Sequence, residues 1–137
     1  ADLETFERML ENVDWLFIDL KHMSPEAHLR LTGKPNDLIL ENVKRASTIL
    51  AKRKRPLVIR SVLVPGINDG DNIREAGAFL RSLPYITGLE FLPYHRYGVH
   101  KYALLERSFG LPEVEPASEE DVVKSKKVMK DYGIILL

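Results

Sequence analysis

Apolar positions along the chain alternate between short dense runs and stripes at helical spacing. The runs are residues 12–21 (NVDWLFIDLK), 57–64 (LVIRSVLV) and 88–93 (GLEFLP). Each is bounded by polar or turn residues, the pattern of a strand buried on both faces. Between them, Leu3, Phe6 and Leu10 share one helical stripe, and Ile39, Val43, Ala46 and Leu50 share another over residues 37–54. Ile73, Ala76, Gly77, Leu80 and Leu83 make a third, and Val122, Ser125, Met129 and Tyr132 a fourth. These spacings predict amphipathic helices. Residues 134–137 read as a terminal strand.

Punctuation agrees with this order. Ser24 followed by Pro25 predicts an N-cap and a first helical residue, and Gly33 with Pro35 ends that short helix. Pro56 breaks the next helix, and Pro65–Gly66 marks a turn after the second run. Asp69, Asp71 and Asn72 read as capping side chains, Ser118-x-x-Asp121 as a capping box, and Gly133 as a stop. Residues 94–117 predict a loop, a short helix around Tyr102 to Phe109, and an extended Pro-containing connection. The sum is a βαβαβαβ order with no linker or repeat, an α/β chain of roughly four parallel strands joined by crossover helices. An open sheet and a sector of a barrel both satisfy that pattern, and residues 1–137 read as one domain.

Polar residues inside such strands need a reason, because both faces should be apolar. The first run ends Asp19-Leu20-Lys21-His22, the second contains Arg60, and the third contains Glu90 before Tyr94-His95-Arg96. Alternation puts Asp19 and Lys21 on the face of Trp15 and Phe17, and Arg60 on the face of Val58 and Val62. Parallel sheets bind ligands at the C-terminal edge of their strands. A carboxylate, two cations and an imidazole there could hold a zwitterionic or nucleoside-containing ligand. Each residue also has a structural explanation. Asp19–Lys21 could close a strand end, Arg60–Glu90 could pair across strands, and His95 could be a solvated loop residue. His22 and His28 read as surface residues. His95 and His100 lack a third ligand for a metal.

Composition narrows the classes. Twenty basic residues balance twenty acidic ones, so no long-range attraction to nucleic acid is expected. The block Lys52-Arg53-Lys54-Arg55 reads as a solvated helix end. No apolar stretch approaches the length of a membrane span. Cysteine is absent, which removes disulfides and any iron–sulfur cluster held by this chain's own thiolates. Ala1 runs almost directly into helical sequence, as a cut end would. No Gly-rich phosphate loop, nucleophile elbow or HExxH motif occurs.

Three segments taken together resemble a known family. They are VDWLFIDLKHMSPEAHLRLTGKPNDLILENVKRA, VIRSVLVPGINDGDNI and LEFLPYHRYGVHKY, in this order. They resemble the activating enzymes of glycyl radical enzymes, the pyruvate formate-lyase activating enzyme family of the radical S-adenosylmethionine superfamily. The resemblance implies a partial, TIM-like (β/α)6 barrel, of which residues 1–137 would be the C-terminal part. It implies S-adenosylmethionine and a 4Fe–4S cluster as cofactors, the cluster held by a CxxxCxxC loop in the N-terminal half. Reductive cleavage of S-adenosylmethionine there would generate a glycyl radical on the partner enzyme. It further implies an electron donor such as flavodoxin or ferredoxin, and a cytoplasmic location.

Among individual positions, Asp19 and Lys21 match the family's D-L-K motif beside S-adenosylmethionine, with a monovalent cation associated with Asp19. Arg60 and Val62 match the I-R-x-V strand near the nucleoside, and His95 the histidine after L-P-Y. His100 and Lys101 would serve the partner-binding rim. CxxxCxxC and the family's Gly-Gly-Glu segment do not occur here. The chain alone is therefore expected to be inactive, to hold no iron, to bind S-adenosylmethionine too weakly to measure, and to self-associate through an exposed barrel edge. The alternatives are a radical S-adenosylmethionine enzyme of another subgroup and a stand-alone α/β module for a nucleotide-like ligand.

Overall fold

The computed structural model describes residues 2–95, 104–105 and 114–137. Helix α1 (Leu3–Glu11) starts where the Asp2 carboxylate accepts the Thr5 amide at 2.8 Å, and it buries Phe6 and Leu10. Strand β1 (Leu16–Asp19) follows. Helix α2 (Pro25–Thr32) has Ser24 as N-cap and Gly33 as a left-handed C-cap, the combination expected from Ser-Pro and Gly. Helix α3 (Asp37–Arg53) buries Val43, Ala46, Ser47 and Leu50. Strand β2 (Leu57–Leu63), helix α4 (Asp71–Arg81) and strand β3 (Gly88–Pro93) complete the next unit. Helix α5 (Glu119–Asp131) begins at Ser118 with the expected reciprocal capping box to Asp121.

The strands form one parallel sheet in the order β1-β2-β3. Strand β1 is shorter than the apolar run that contains it. Its register starts at Leu16 opposite Leu57, because Pro56 has no amide to extend the ladder and contributes only its carbonyl, to the Leu16 amide at 3.1 Å. The expected fourth strand is a single parallel bridge, Leu136 opposite Leu89. The Leu89 amide donates to the Ile135 carbonyl at 2.8 Å, and the Leu137 amide returns to the Leu89 carbonyl at 3.0 Å. One residue of β3 thus carries that pairing, too little to define a strand. The α/β class with crossover helices is otherwise as the pattern indicates.

One core joins the helices to one face of the sheet. Leu57, Ile59 and Leu63 of β2 and Leu89 and Phe91 of β3 pack with Leu10, Val43, Leu50, Ile73, Leu80 and Met129. On the opposite face Phe17, Asp19, Arg60, Val62, Glu90 and Leu92 are exposed or half-buried. All the described helices of the core therefore lie on one side, as in the wall of a barrel rather than a doubly wound sheet. None of these helices is long and apolar enough to cross a membrane. Helix α5 lies close against α4: a Cβ at Gly77 would come within 2.4 Å of the Tyr132 ring.

Local expectations are corrected in three places. Helix α4 has Gly70 at its N-cap and no side-chain cap. Asp69 accepts the Gly66 amide at 3.0 Å, Asp71 pairs with Arg74, and Asn72 turns inward. The basic block is not merely solvated, since Arg53 donates to the Leu10 carbonyl at 2.9 Å and Arg55 to that of Val13 at 2.6 Å. These guanidinium groups satisfy carbonyls at and beyond the end of α1, where cations are favoured. His28 is buried at 3% exposure, not on the surface. Its Nδ1 lies 2.7 Å from the Lys34 carbonyl, a contact that requires the proton on Nδ1. The short helix expected over Tyr102 to Phe109 lies largely outside the described residues.

Candidate functional site

Parallel register places Asp19 directly opposite Arg60, and Arg60 opposite Glu90. Arg60 turns to Asp19 and not to Glu90: its Nε donates to Oδ1 at 3.1 Å, and Nη2 lies 3.0 Å from the same oxygen. The Lys21 ammonium faces Oδ2 at 3.8 Å. The Arg60 guanidinium also stands over the Phe17 ring, 5.2 Å from its centroid, and Trp15 stacks on Phe17 at 6.3 Å. Two aromatic rings, a guanidinium, a carboxylate and an ammonium thus form a continuous column on the open face.

These side chains keep roughly 37–49% of their surface exposed. Ion pairs in that setting contribute about 0–1 kcal/mol, so the cluster is a weak stabilising device. It presents two cations and one acid where solvent or a ligand can reach them. Any monovalent cation at Asp19 would share a carboxylate that already faces Arg60 and Lys21.

Beside this column, at the C-terminal ends of the strands, lies a cavity of about 220 Å³. Lys21, Val62, Val64 and Tyr94 line it from the sheet, Leu31 and Thr32 from α2, and Ile67 and Asn68 from the β2–α4 turn. The fold therefore brings Asp19, Lys21 and Arg60 into contact and sets Val62 in the same cavity wall as Lys21. His95 is exposed just beyond β3, at the same sheet edge but outside the cavity lining. His100 and Lys101 lie outside the described residues.

Three buried asparagines hold this edge together: Asn36, Asn68 and Asn72, of which the sequence offered only Asn72, and that as a cap. The Asn68 amide donates to the carbonyls of Lys21 at 3.0 Å and Val62 at 2.7 Å, while its oxygen accepts the Val64 amide at 2.8 Å. Asn72 donates to the Asn68 carbonyl at 2.8 Å and accepts the Met23 amide at 2.7 Å. Asn36 donates to the carbonyls of His22 and Met23 at 2.8 and 2.7 Å. Each satisfies backbone groups that leave the ladder where β1 ends. Their available signal was the pair Asn68-x-x-x-Asn72 after a Pro-Gly turn; polar residues there read equally well as caps.

Sequence relatives include the pyruvate formate-lyase-activating enzymes of Staphylococcus aureus strains USA300 and NCTC 8325. Both are 40% identical over 131 residues, which is 95% of this chain and 51% of theirs. A crystal structure of a domain of pyruvate-formate lyase-activating enzyme from Bacteroides vulgatus ATCC 8482 superposes with a TM-score of 0.79 at 30% identity. The match takes in 100% of this chain and 74% of that one. The chain belongs to the pyruvate formate-lyase-activating enzyme family. A radical SAM methyltransferase from Sphaerobacter thermophilus, with a TM-score of 0.70 and 17% identity over 98% of this chain and 36% of its own, shares the fold. No family model matches the chain. Within the activating-enzyme family, this chain spans about half the length of the curated relatives it matches.

Proposed function

We propose that this chain is one wall of a glycyl-radical-enzyme activase, working with a cluster-bearing segment of the same protein. Lacking cysteine, the chain supplies no thiolate to a 4Fe–4S cluster, and its residues do not fit that group. They do fit S-adenosylmethionine. Lys21 and Arg60 suit its carboxylate, Asp19 its amino group, and Val62 with the cavity wall its apolar parts. When bound, the cluster and S-adenosylmethionine supply a one-electron carbon–sulfur cleavage that leads to hydrogen abstraction from a glycine. This chain's residues bind and orient: Asp19, Arg60 and Lys21 fix charge, and Phe17 holds the guanidinium from beneath.

The observation that carries this proposal is the Asp19–Arg60–Lys21 cluster, left half-exposed on the sheet face opposite the core helices. His95 extends the site along the same edge, and His100 and Lys101 belong to the rim met by the partner glycyl radical enzyme. The electron donor is a flavodoxin or ferredoxin, and the setting is the cytoplasm. In isolation the chain self-associates through the face that bears Trp15 and Phe17, which are 61% and 46% exposed.

Sequencing the coding region upstream of Ala1 tests the proposal. An in-frame CxxxCxxC is expected, and the longer product purified without oxygen should be brown and contain iron. A start codon at this boundary, or stoichiometric iron on the 137-residue chain, would contradict it.

A further inference from the structure

The column of charged groups depends on where two strand ends stop relative to each other. Strand β1 pairs with β2 from Leu16 and Leu57 as far as Asp19 and Arg60 and no further, and the Leu20 amide adds a last bond to the Arg60 carbonyl at 2.8 Å. Beyond that point the ladder gives no direct bond between Lys21 and Val62. The Asn68 carboxamide stands there instead, bonded to both carbonyls and to the Val64 amide. Its orientation is fixed by its partners. A flipped amide would set its oxygen against two carbonyls and its nitrogen against an N–H.

Asn68 is only 3% exposed and lies in the cavity wall with Lys21 and Val62. All three of its bonds are therefore made away from bulk water, where they are hard to replace. It is held in turn by Asn72, which bonds its carbonyl from the first turn of α4. The chain thus has a polar latch between the residues that bear the ammonium and the apolar wall of the site.

We propose that Asn68 is a positioning residue: by bridging the Lys21 and Val62 carbonyls it sets where the Lys21 ammonium stands relative to Arg60 and the cavity. This rests on the proposed S-adenosylmethionine site, and it concerns how that site is kept in register. The expected signature is weaker ligand capture without a matching loss of fold.

Two arms test it. In the 137-residue chain, NMR should show slowly exchanging Asn68 side-chain amide protons. Asn68→Asp, which keeps the acceptor for Val64 but removes both donors, should move the Lys21 and Val62 resonances and leave those around Ser47 unchanged. In the longer cluster-loaded protein, Asn68→Asp should raise the KM for S-adenosylmethionine about tenfold, as for other residues that hold ligating groups in place, with kcat changed far less. Ser47→Ala is the stability control. It removes a buried hydroxyl that bonds the Tyr85 amide at 2.9 Å, remote from the cavity lining, and should lower the unfolding midpoint without altering KM. Unchanged KM in Asn68→Asp, or equal KM effects from both variants at matched stability, would overturn the latch. If the unsubstituted long protein cleaves no S-adenosylmethionine, the parent activity fails instead. The latch then stands on movement of the Lys21 and Val62 resonances and falls if they stay in place.

Discussion

The two faces of the sheet are built from the same strands and do opposite things. On one, Leu57, Ile59, Leu63 and Leu89 are at most 1% exposed beneath four helices. On the other, residues one position along the same strands are Phe17, Asp19, Arg60, Val62, Glu90 and Leu92, with no core helix above them among the described residues. Period-two alternation is enough to separate stability from chemistry. The helix-covered face supplies most of the hydrophobic term, whereas the open face buries Val58, at 1% exposed, and carries its charge where Asp19, Arg60 and Lys21 stay half-exposed.

That contrast can be broken by substitution. Ile59→Ala, a large-to-small change at a fully buried position, should lower the unfolding free energy by about 2–5 kcal/mol in urea titrations. Phe17→Ala, at a position 46% exposed, should lower it by less than about 1.5 kcal/mol. Equal losses would mean that the open face is part of the core. Between those two, Gly77→Ala should destabilise by about 1–3 kcal/mol, because the new methyl would overlap the Tyr132 ring. A midpoint equal to that of the unsubstituted chain would show that α4 and α5 can separate without penalty.

The smallest effect is at the helix ends and depends on pH. The Ser118 hydroxyl, and after it the Ser118 backbone amide, hold the Asp121 carboxyl below its ordinary range. Its contribution is therefore fully present above the unfolded aspartate pKa, near about 4, and is lost as pH falls through the lower folded value. Acidification below that range should loosen the first turn of α5, seen as faster amide exchange at Asp121. Asp121→Asn should show that loosened turn at neutral pH and little further change with acid. The sheet interior should not respond in this window.

Much of this fold was legible in the residues, for identifiable reasons. Ser24-Pro25, Ser118-x-x-Asp121 and Gly33 act through local hydrogen bonds and backbone preference, so their sequence signals carried over unchanged. The strands were legible from apolar density, but their limits were not. The N-terminal limit of β1 is fixed by Pro56, some forty residues away, a tertiary fact. Burial of His28 was not legible because its partner, the Lys34 carbonyl, comes within reach only once α2 has turned into the following loop. Asp19, Lys21 and Arg60 stood out as polar residues in apolar runs. Their mutual contact follows from register, which periodicity leaves open. Asn68 carried no signal of its own in the sequence, because its role depends on the Lys21 and Val62 carbonyls that the fold brings to either side of it.

The open face is claimed as a ligand wall, and affinity decides that most directly. Equilibrium binding of S-adenosylmethionine should be measured on the longer cluster-loaded protein, unsubstituted and as Asp19→Asn with Arg60→Met. The double variant should bind at least about tenfold more weakly, while its unfolding midpoint shifts little, as expected for half-exposed ion pairs. Unchanged affinity, with the unfolding midpoint lowered as far as by Ile59→Ala, would show that the cluster braces the sheet and binds nothing.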